Sequence, residues 1–327
     1  MDLLDRLRLD VPVAQAGMGS IAGGRLAAAV AAAGGLGTIG LRPPEELRAA
    51  IRRVRDEAAE RAVVVNLLMP GVRRRHVAMC LSERIDAAVI AFGGDAGLVR
   101  ELHEAGVFVI VMVGTEAQAQ EAMAWDADAL IAQGCEAGGH LLGTVAALKF
   151  LPRAVEIAAG RPVLMAGGVA CSADTAAAIA AGASGVVAGT RFLLTVESEA
   201  QEEYRQRVLT AEKTIETCLF GLGWPARHRV VPNAVTQRWC FPDGTARRLP
   251  ALINARSGPL GRLAPESSTA AAIKVQRSFL PLFSPLAPLE GMPESWADRA
   301  ALYAGESALR IAETVTAKQA VAELSGC

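Results

Sequence analysis

Residues 162–191 read PVLMAGGVACSADTAAAIAAGASGVVAGTR. Two short apolar runs, 162–166 and 185–188, flank an Ala-rich stretch at 173–181 that ends at Gly182. A continuous apolar run, unlike an alternating one, suits a strand buried on both faces of a parallel sheet. Glycine just past a helical stretch is a C-cap signal. The same unit of run, turn and amphipathic stretch recurs outward from here. The other runs lie at 13–16, 36–39, 62–66, 87–91, 107–113 and 129–132, which makes eight before residue 200. Eight evenly spaced strand–helix units predict an α/β chain closed as a (β/α)8 TIM barrel. An open doubly wound sheet is the alternative, and the even spacing favours closure.

The chain has 327 residues, roughly twice a typical domain length. With 52% hydrophobic and 20% charged residues it is not a disordered chain. Thirty-three basic against 34 acidic residues leave no global field to recruit nucleic acid or a membrane surface. The most apolar stretch, 26–41, is broken by Gly34, Gly35, Gly37 and Gly40, and no segment supplies the roughly 20 apolar residues a bilayer span needs. The first ten residues are charged and lack a signal-peptide core. Six scattered cysteines without a CxxC pair predict reduced thiols in a cytoplasmic protein.

Beyond residue 200 the composition changes: ten of the 16 prolines and nine of the 14 aromatics fall there. Residues 203–262 carry ten Lys/Arg and four Asp/Glu, a local charge of +6. This predicts a barrel from 1–204 and 296–327, the last stretch a closing helix at 295–325. Residues 205–295 form a cap inserted after strand eight, over the barrel mouth.

Barrel enzymes carry their chemistry at the C-terminal ends of the strands. After the seventh run stands Gly167-Gly168, and after Val187-Ala188 of the eighth stands Gly189-Thr190. One such loop is explained by a tight turn. Two at these strands predict a phosphate site, because glycine lets backbone N–H groups approach an anion. After the sixth run comes QGCEAGGH, 133–140, with Gln133 at the strand end and Gly138 and Gly139 before His140. That address selects His140 for proton handling. His76 and His103 lie among charges in expected helices and read as solvated, while His228 sits in the basic segment without a distinguishing pattern. Met18 follows the first run and offers a surface for a flat ring; Asn66 ends the third as a ligand-orienting amide or a turn cap. Cys135 reads as a small filler, and no metal-ligand spacing is present.

Together, residues 12–40 (PVAQAGMGSIAGGRLAAAVAAAGGLGTIG), AQGCEAGGH at 132–140 and MAGGVACSADTAAAIAAGASGVVAGTRFL at 165–193 resemble the nitronate monooxygenase family, FMN-dependent TIM-barrel flavoproteins. RVVPNAVTQRW at 229–239 and YAGE at 303–306 are similar as well. The resemblance implies FMN, with Met18 against the flavin, Asn66 and Gln133 hydrogen-bonded to it and Gly138 in backbone contact. It further implies that Gly167, Gly168, Val187, Ala188, Gly189 and Thr190 hold the phosphate, and that His140 stands near the flavin N5. The implied reaction oxidises a small anionic substrate, an alkyl nitronate, with O2 to a carbonyl compound and nitrite. Three departures mark the chain: Gly17 replaces the family's proline, and the loops at 91–95 and 113–115 lack the usual substrate-side residues. An NAD(P)H-dependent reductase of enoyl-ACP or quinone type is the first alternative, and a non-catalytic phosphate-ligand barrel the second. Assembly into a homodimer is left open.

Overall fold

The computed structural model describes residues 3–258 and 269–326. Eleven strands are present: β1 (Val13–Gln15), β2 (Thr38–Ile39), β3 (Val64–Leu68), β4 (Ala87–Ala91), β5 (Phe108–Val113), β6 (Ala129–Gln133), β7 (Gly139–His140), β8 (Val163–Ala166), β9 (Gly185–Ala188), β10 (Ile215–Thr217) and β11 (His228–Val230). Eight of them run in the order β1-β9-β8-β6-β5-β4-β3-β2, all parallel to their neighbours. The seam between first and last closes at a parallel Ala14–Leu36 bridge. There the N–H of Gln15 donates to Leu36 O at 2.9 Å, and Gln15 Oε1 accepts from the N–H of Thr38 at 3.0 Å. The fold is a (β/α)8 barrel, and each of the eight apolar runs overlaps one of its strands, with β3 and β6 reaching beyond the runs at 62–66 and 129–132.

Alternate residues of each strand go to different cores. Ala14, Val64, Val89, Ile110, Ile131, Leu164 and Val187 form an inner layer with Ala87, Ala129 and Ala166. Val65, Ile90, Val111, Leu130, Met165 and Val186 pack outward, under the helices. An axis filled by aliphatic side chains leaves little use for aromatic ones, which accounts for their scarcity before residue 200.

The helical stretches sit where the pattern puts them, with shifted ends. The expected helix at 43–60 is Pro44–Glu57, and that at 199–209 is Glu202–Leu209. The closing helix expected at 295–325 needs correction. Only Ala317–Ser325 is α-helical, capped by Thr316 and packed on the helices Gly24–Ala32 and Ser172–Ala180. Upstream are single 3-10 turns at Glu294–Asp298 and Glu306–Arg310, joined by irregular chain. The reason is competition for backbone groups. Leu302 O accepts from Val231 N–H at 2.8 Å, and the N–H of Glu306 reaches Glu136 O at 3.0 Å, so this Ala-rich stretch bonds across the barrel mouth instead of to itself.

A second sheet was not foreseen. β7 lies in the loop after β6, and β11 and then β10 add to it antiparallel, pairing His228 with His140. No helix among the described residues is long and apolar enough to cross a membrane.

Candidate active site

A cavity of about 650 Å³ opens at the C-terminal ends of the barrel strands. Its lining brings together all eleven residues selected from the sequence: Met18, Asn66, Gln133, Gly138, His140, Gly167, Gly168, Val187, Ala188, Gly189 and Thr190. Phe92, Leu222, Trp224, Ser284 and Tyr303 also line it; sequence reasoning had passed over Leu222, Trp224 and Ser284 and had met Phe92 and Tyr303 only within the stretches 91–95 and 303–306.

One side of the cavity is backbone. Gly167 and Gly168 both have positive φ (125° and 70°), a conformation that glycine reaches without strain. Gly189 opens the short helix Thr190–Leu193, and a Cβ on it would lie 3.8 Å from the Met18 sulfur. Thr190 Oγ1 accepts from the N–H of Gly305 at 2.9 Å, tying this loop to the post-barrel chain. A cation missed by the sequence reading, Arg310, donates to Gly168 O and pairs with Asp174 at 3.0 Å. Burial would raise the Asp174 pKa, but the Arg310 hydrogen bond and the N–H groups of Ala170 and Cys171 outweigh it and hold the carboxyl below its usual range.

The amides are placed differently. Asn66 Nδ2 donates to Gly17 O at 3.0 Å, while Asn66 Oδ1 is buried without a partner. A Cβ at residue 17 would come within 2.3 Å of Asn66 Cβ, so glycine there is what admits Asn66. Gln133 clamps the following loop: Nε2 donates to His140 O at 3.0 Å, and Oε1 accepts from Leu142 N–H at 2.9 Å. At Gly138 a Cβ would meet Gly305 N at 2.5 Å, so this glycine serves close packing of two backbones.

His140 is buried, and its Nε2 has no partner. Its ring stacks on Trp224 at 3.6 Å and 10°, with Phe92, His228 and Tyr303 at 6.0, 5.1 and 5.4 Å. Burial, and secondarily the neighbouring His228, lowers its pKa well below 6.5, so the imidazole is neutral at physiological pH. The other histidines correct their sequence reading. His228 is fully buried, its pKa pushed down to about 4 by desolvation. His76 is buried too, because its Nδ1 accepts from the N–H of Arg73 at 2.8 Å and caps its own helix. His103, half-buried, pairs with Asp128 at 2.9 Å.

No Asp, Glu, Lys or Arg appears among the described residues lining the cavity. The described residues of the positive segment do not direct their charge there. Arg229 pairs with Glu216 at 2.7 Å and Glu306 at 3.2 Å, Arg227 with Glu216 at 3.6 Å, and Arg207 with Asp298 at 2.7 Å. Burial, helped by the Glu136 carboxylate, pushes the Cys135 thiol up, away from nucleophilic use. Among the described residues no group of His, Cys, Asp and Glu is arranged to hold a metal ion.

The residues present fit a flavin. The unpartnered Asn66 Oδ1 can accept from a ring N–H, and the two glycine loops form a cradle that side chains would fill. The family model for nitronate monooxygenase matches this chain over residues 2–72 and 53–326. A dehydrogenase of Mycobacterium tuberculosis, acting on (3aS,4S,5R,7aS)-5-hydroxy-7a-methyl-1-oxo-octahydro-1H-indene-4-carboxyl-CoA, is 38% identical over 72% of this chain and 67% of its own. The nitronate monooxygenase of Pseudomonas aeruginosa is 32% identical over 75% of this chain and 82% of its own. Among solved structures, FabK from Thermotoga maritima superposes with a TM-score of 0.78 at 26% identity, covering 98% of this chain and 94% of its own. The chain belongs to the nitronate monooxygenase family of flavin-dependent oxidoreductases.

Proposed function

We propose that this protein is an FMN-dependent oxidoreductase acting on an uncharged, largely apolar part of its substrate, at a position next to a carbonyl group. The observation that carries the reading is a neutral His140 that lines a cavity without a charged side chain and whose buried Nε2 has no partner. Burying an unpaired charge in such a place is costly, whereas a carbonyl needs one good hydrogen bond.

FMN, when bound, supplies the redox chemistry by taking or giving electrons at its ring. The N–H groups of Gly168, Gly189 and Thr190 would hold its phosphate, with Gly167 shaping the turn. Met18 and Val187 would lie against the ring, and Ala188 and Gly138 would line it with backbone. Asn66 Oδ1 would accept from the ring, and the free N–H of Gln133 Nε2 remains for it. His140 donates from Nε2 to the substrate oxygen. As a neutral donor it polarises that oxygen without giving up its proton, and in a water-poor site such a donor is worth about 3 kcal/mol of barrier lowering. Trp224, Phe92 and Tyr303 exclude water above it. A thioester carbonyl, as in the substrate named for the mycobacterial relative, is one group of this kind.

Oxidation of an alkyl nitronate with O2 is the second reading, favoured by the extent of the match to the Pseudomonas enzyme. It would require the nitronate charge to rest on His140 Nε2–H and backbone donors. Anaerobic mixing of the yellow protein with NADPH and with propyl-1-nitronate separates the two. Rapid bleaching by NADPH supports the carbonyl reading; reduction by the nitronate alone, with nitrite formed on admitting O2, overturns it in favour of the second. A colourless protein that FMN cannot reconstitute would sink both.

A further inference from the structure

The loop that carries Trp224 is closed by a side chain the reaction does not touch. His228 Nε2 accepts from the N–H of Phe220 at 3.3 Å, so Nδ1 carries the proton and donates to Ala226 O at 3.0 Å. One imidazole thus staples both arms of the 220–228 loop. Other bonds anchor it: Gly223 N–H donates to Ser257 Oγ at 2.8 Å, Leu222 N–H to Phe283 O at 3.1 Å, and the Arg227 guanidinium to Gly143 O at 2.7 Å. The product is one aromatic placement. The Trp224 indole lies flat on His140, meets Phe92 edge-to-face at 5.1 Å and 80°, and lines the cavity.

We propose that Trp224 is the substrate-recognition residue of this site and that His228 is its positioning residue. The indole is a flat apolar wall against which a ring or alicyclic group of the substrate lies while its carbonyl reaches His140 Nε2. Trp presents a large rigid surface with only two side-chain torsions to fix, so a fixed indole selects for planar or compact apolar groups and against small polar ones. His228 suits the positioning role because both ring nitrogens are occupied within the loop, leaving none for substrate. The proposal rests on the neutral-substrate reading.

The test titrates the FMN-loaded enzyme with 1-indanone, a neutral ring ketone, following the visible flavin band, with propyl-1-nitronate as the anionic comparator. Trp224→Ala is expected to weaken 1-indanone about tenfold or more, and Trp224→Phe less than threefold, both with FMN affinity unchanged. His228→Leu is expected to weaken it similarly. The double variant should bind no more weakly than Trp224→Ala, because His228 acts through Trp224. Hydrogen exchange should show lost protection at 218–228 in His228→Leu with the barrel strands intact; if the strands also open, His228→Phe, which fills the ring's place without bonding the loop, replaces it in the cycle. Additive losses overturn the positioning role. A Trp224→Ala enzyme that binds 1-indanone like wild type overturns the recognition role and leaves the functional reading standing. Wild-type enzyme that binds the nitronate but not 1-indanone overturns that reading and this proposal together.

Discussion

Two regions build one cavity by different means. The barrel contributes the ends of its strands: glycine backbone at 167–168 and 189, the Asn66 amide and the Met18 side chain. The chain after β9 contributes Trp224, Tyr303 and the staple His228, with Arg310 behind the glycine loop. In the first region each position follows from local periodicity, since a strand end in a barrel has a fixed address. In the second, position follows from pairings far apart in sequence, such as His228 with His140 and Arg310 with Gly168. On the proposed reading the first region is the cofactor cradle and the second the substrate wall, and substitutions in each should fail differently.

The largest expected effect lies in the cradle. Gly168→Asp puts a carboxylate beside the phosphate loop, where a Cβ already meets Glu136 Cγ at 3.2 Å. A like charge about 5 Å from a phosphate costs about 3 kcal/mol at an effective dielectric near 20, more than a hundredfold in FMN affinity. Gly168→Asn has the same shape, tolerates the positive φ and carries no charge, so its loss should stay below about tenfold. Equal losses in a flavin-fluorescence titration would mean that sterics, not a phosphate, govern the loop. On the substrate side, His140→Ala should keep the flavin and lower kcat/KM by roughly 10²–10³. Turnover near wild type would remove His140 from the chemistry.

Legibility divides along the same line. The barrel was readable because continuous apolar runs, glycine stops and strand-end addresses are all local signals. Gly17 could be read as a departure, but not that it makes room for Asn66, since that contact spans 49 residues. His228 was passed over because its neighbours Arg227 and Arg229 look solvated, whereas pairing with β7 buries it between them. The Ala-rich stretch near residue 300 satisfies helix propensity and is still drawn into irregular chain by partners at Val231 and Glu136. One overlooked signal was available: in a chain this poor in aromatics, nine placed beyond residue 200 had to gather somewhere.

The post-barrel wall also predicts a pH dependence. His228 falls to about 4 when folded from an unfolded value near 6.5, and His140 is shifted in the same direction. The unfolded state therefore binds more protons below pH 6.5, and stability present above that pH is lost as it falls toward 4. For His228 alone the loss is about 3 kcal/mol at pH 4. Urea unfolding of wild type between pH 7 and 4.5 should show this slope, and His228→Leu should be flatter by about one proton's worth. An unchanged slope would show that His228 is not buried neutral and that the wall is looser than described.

The smallest effect tests where the two regions touch. Arg310 is about half exposed, so its pairing with Asp174 is worth at most about 1 kcal/mol. Its other bond, to Gly168 O, fixes the orientation of the peptide whose neighbouring N–H groups would, on the proposed reading, hold the phosphate. Arg310→Gln should therefore leave the melting temperature within about 2 °C while weakening FMN three- to fivefold, and the loss should shrink in high salt if charge contributes. A drop in stability without a change in FMN affinity would place Arg310 on the structural side of the comparison. A change in FMN affinity alone would show that the post-barrel chain tunes the cradle as well as walling the substrate.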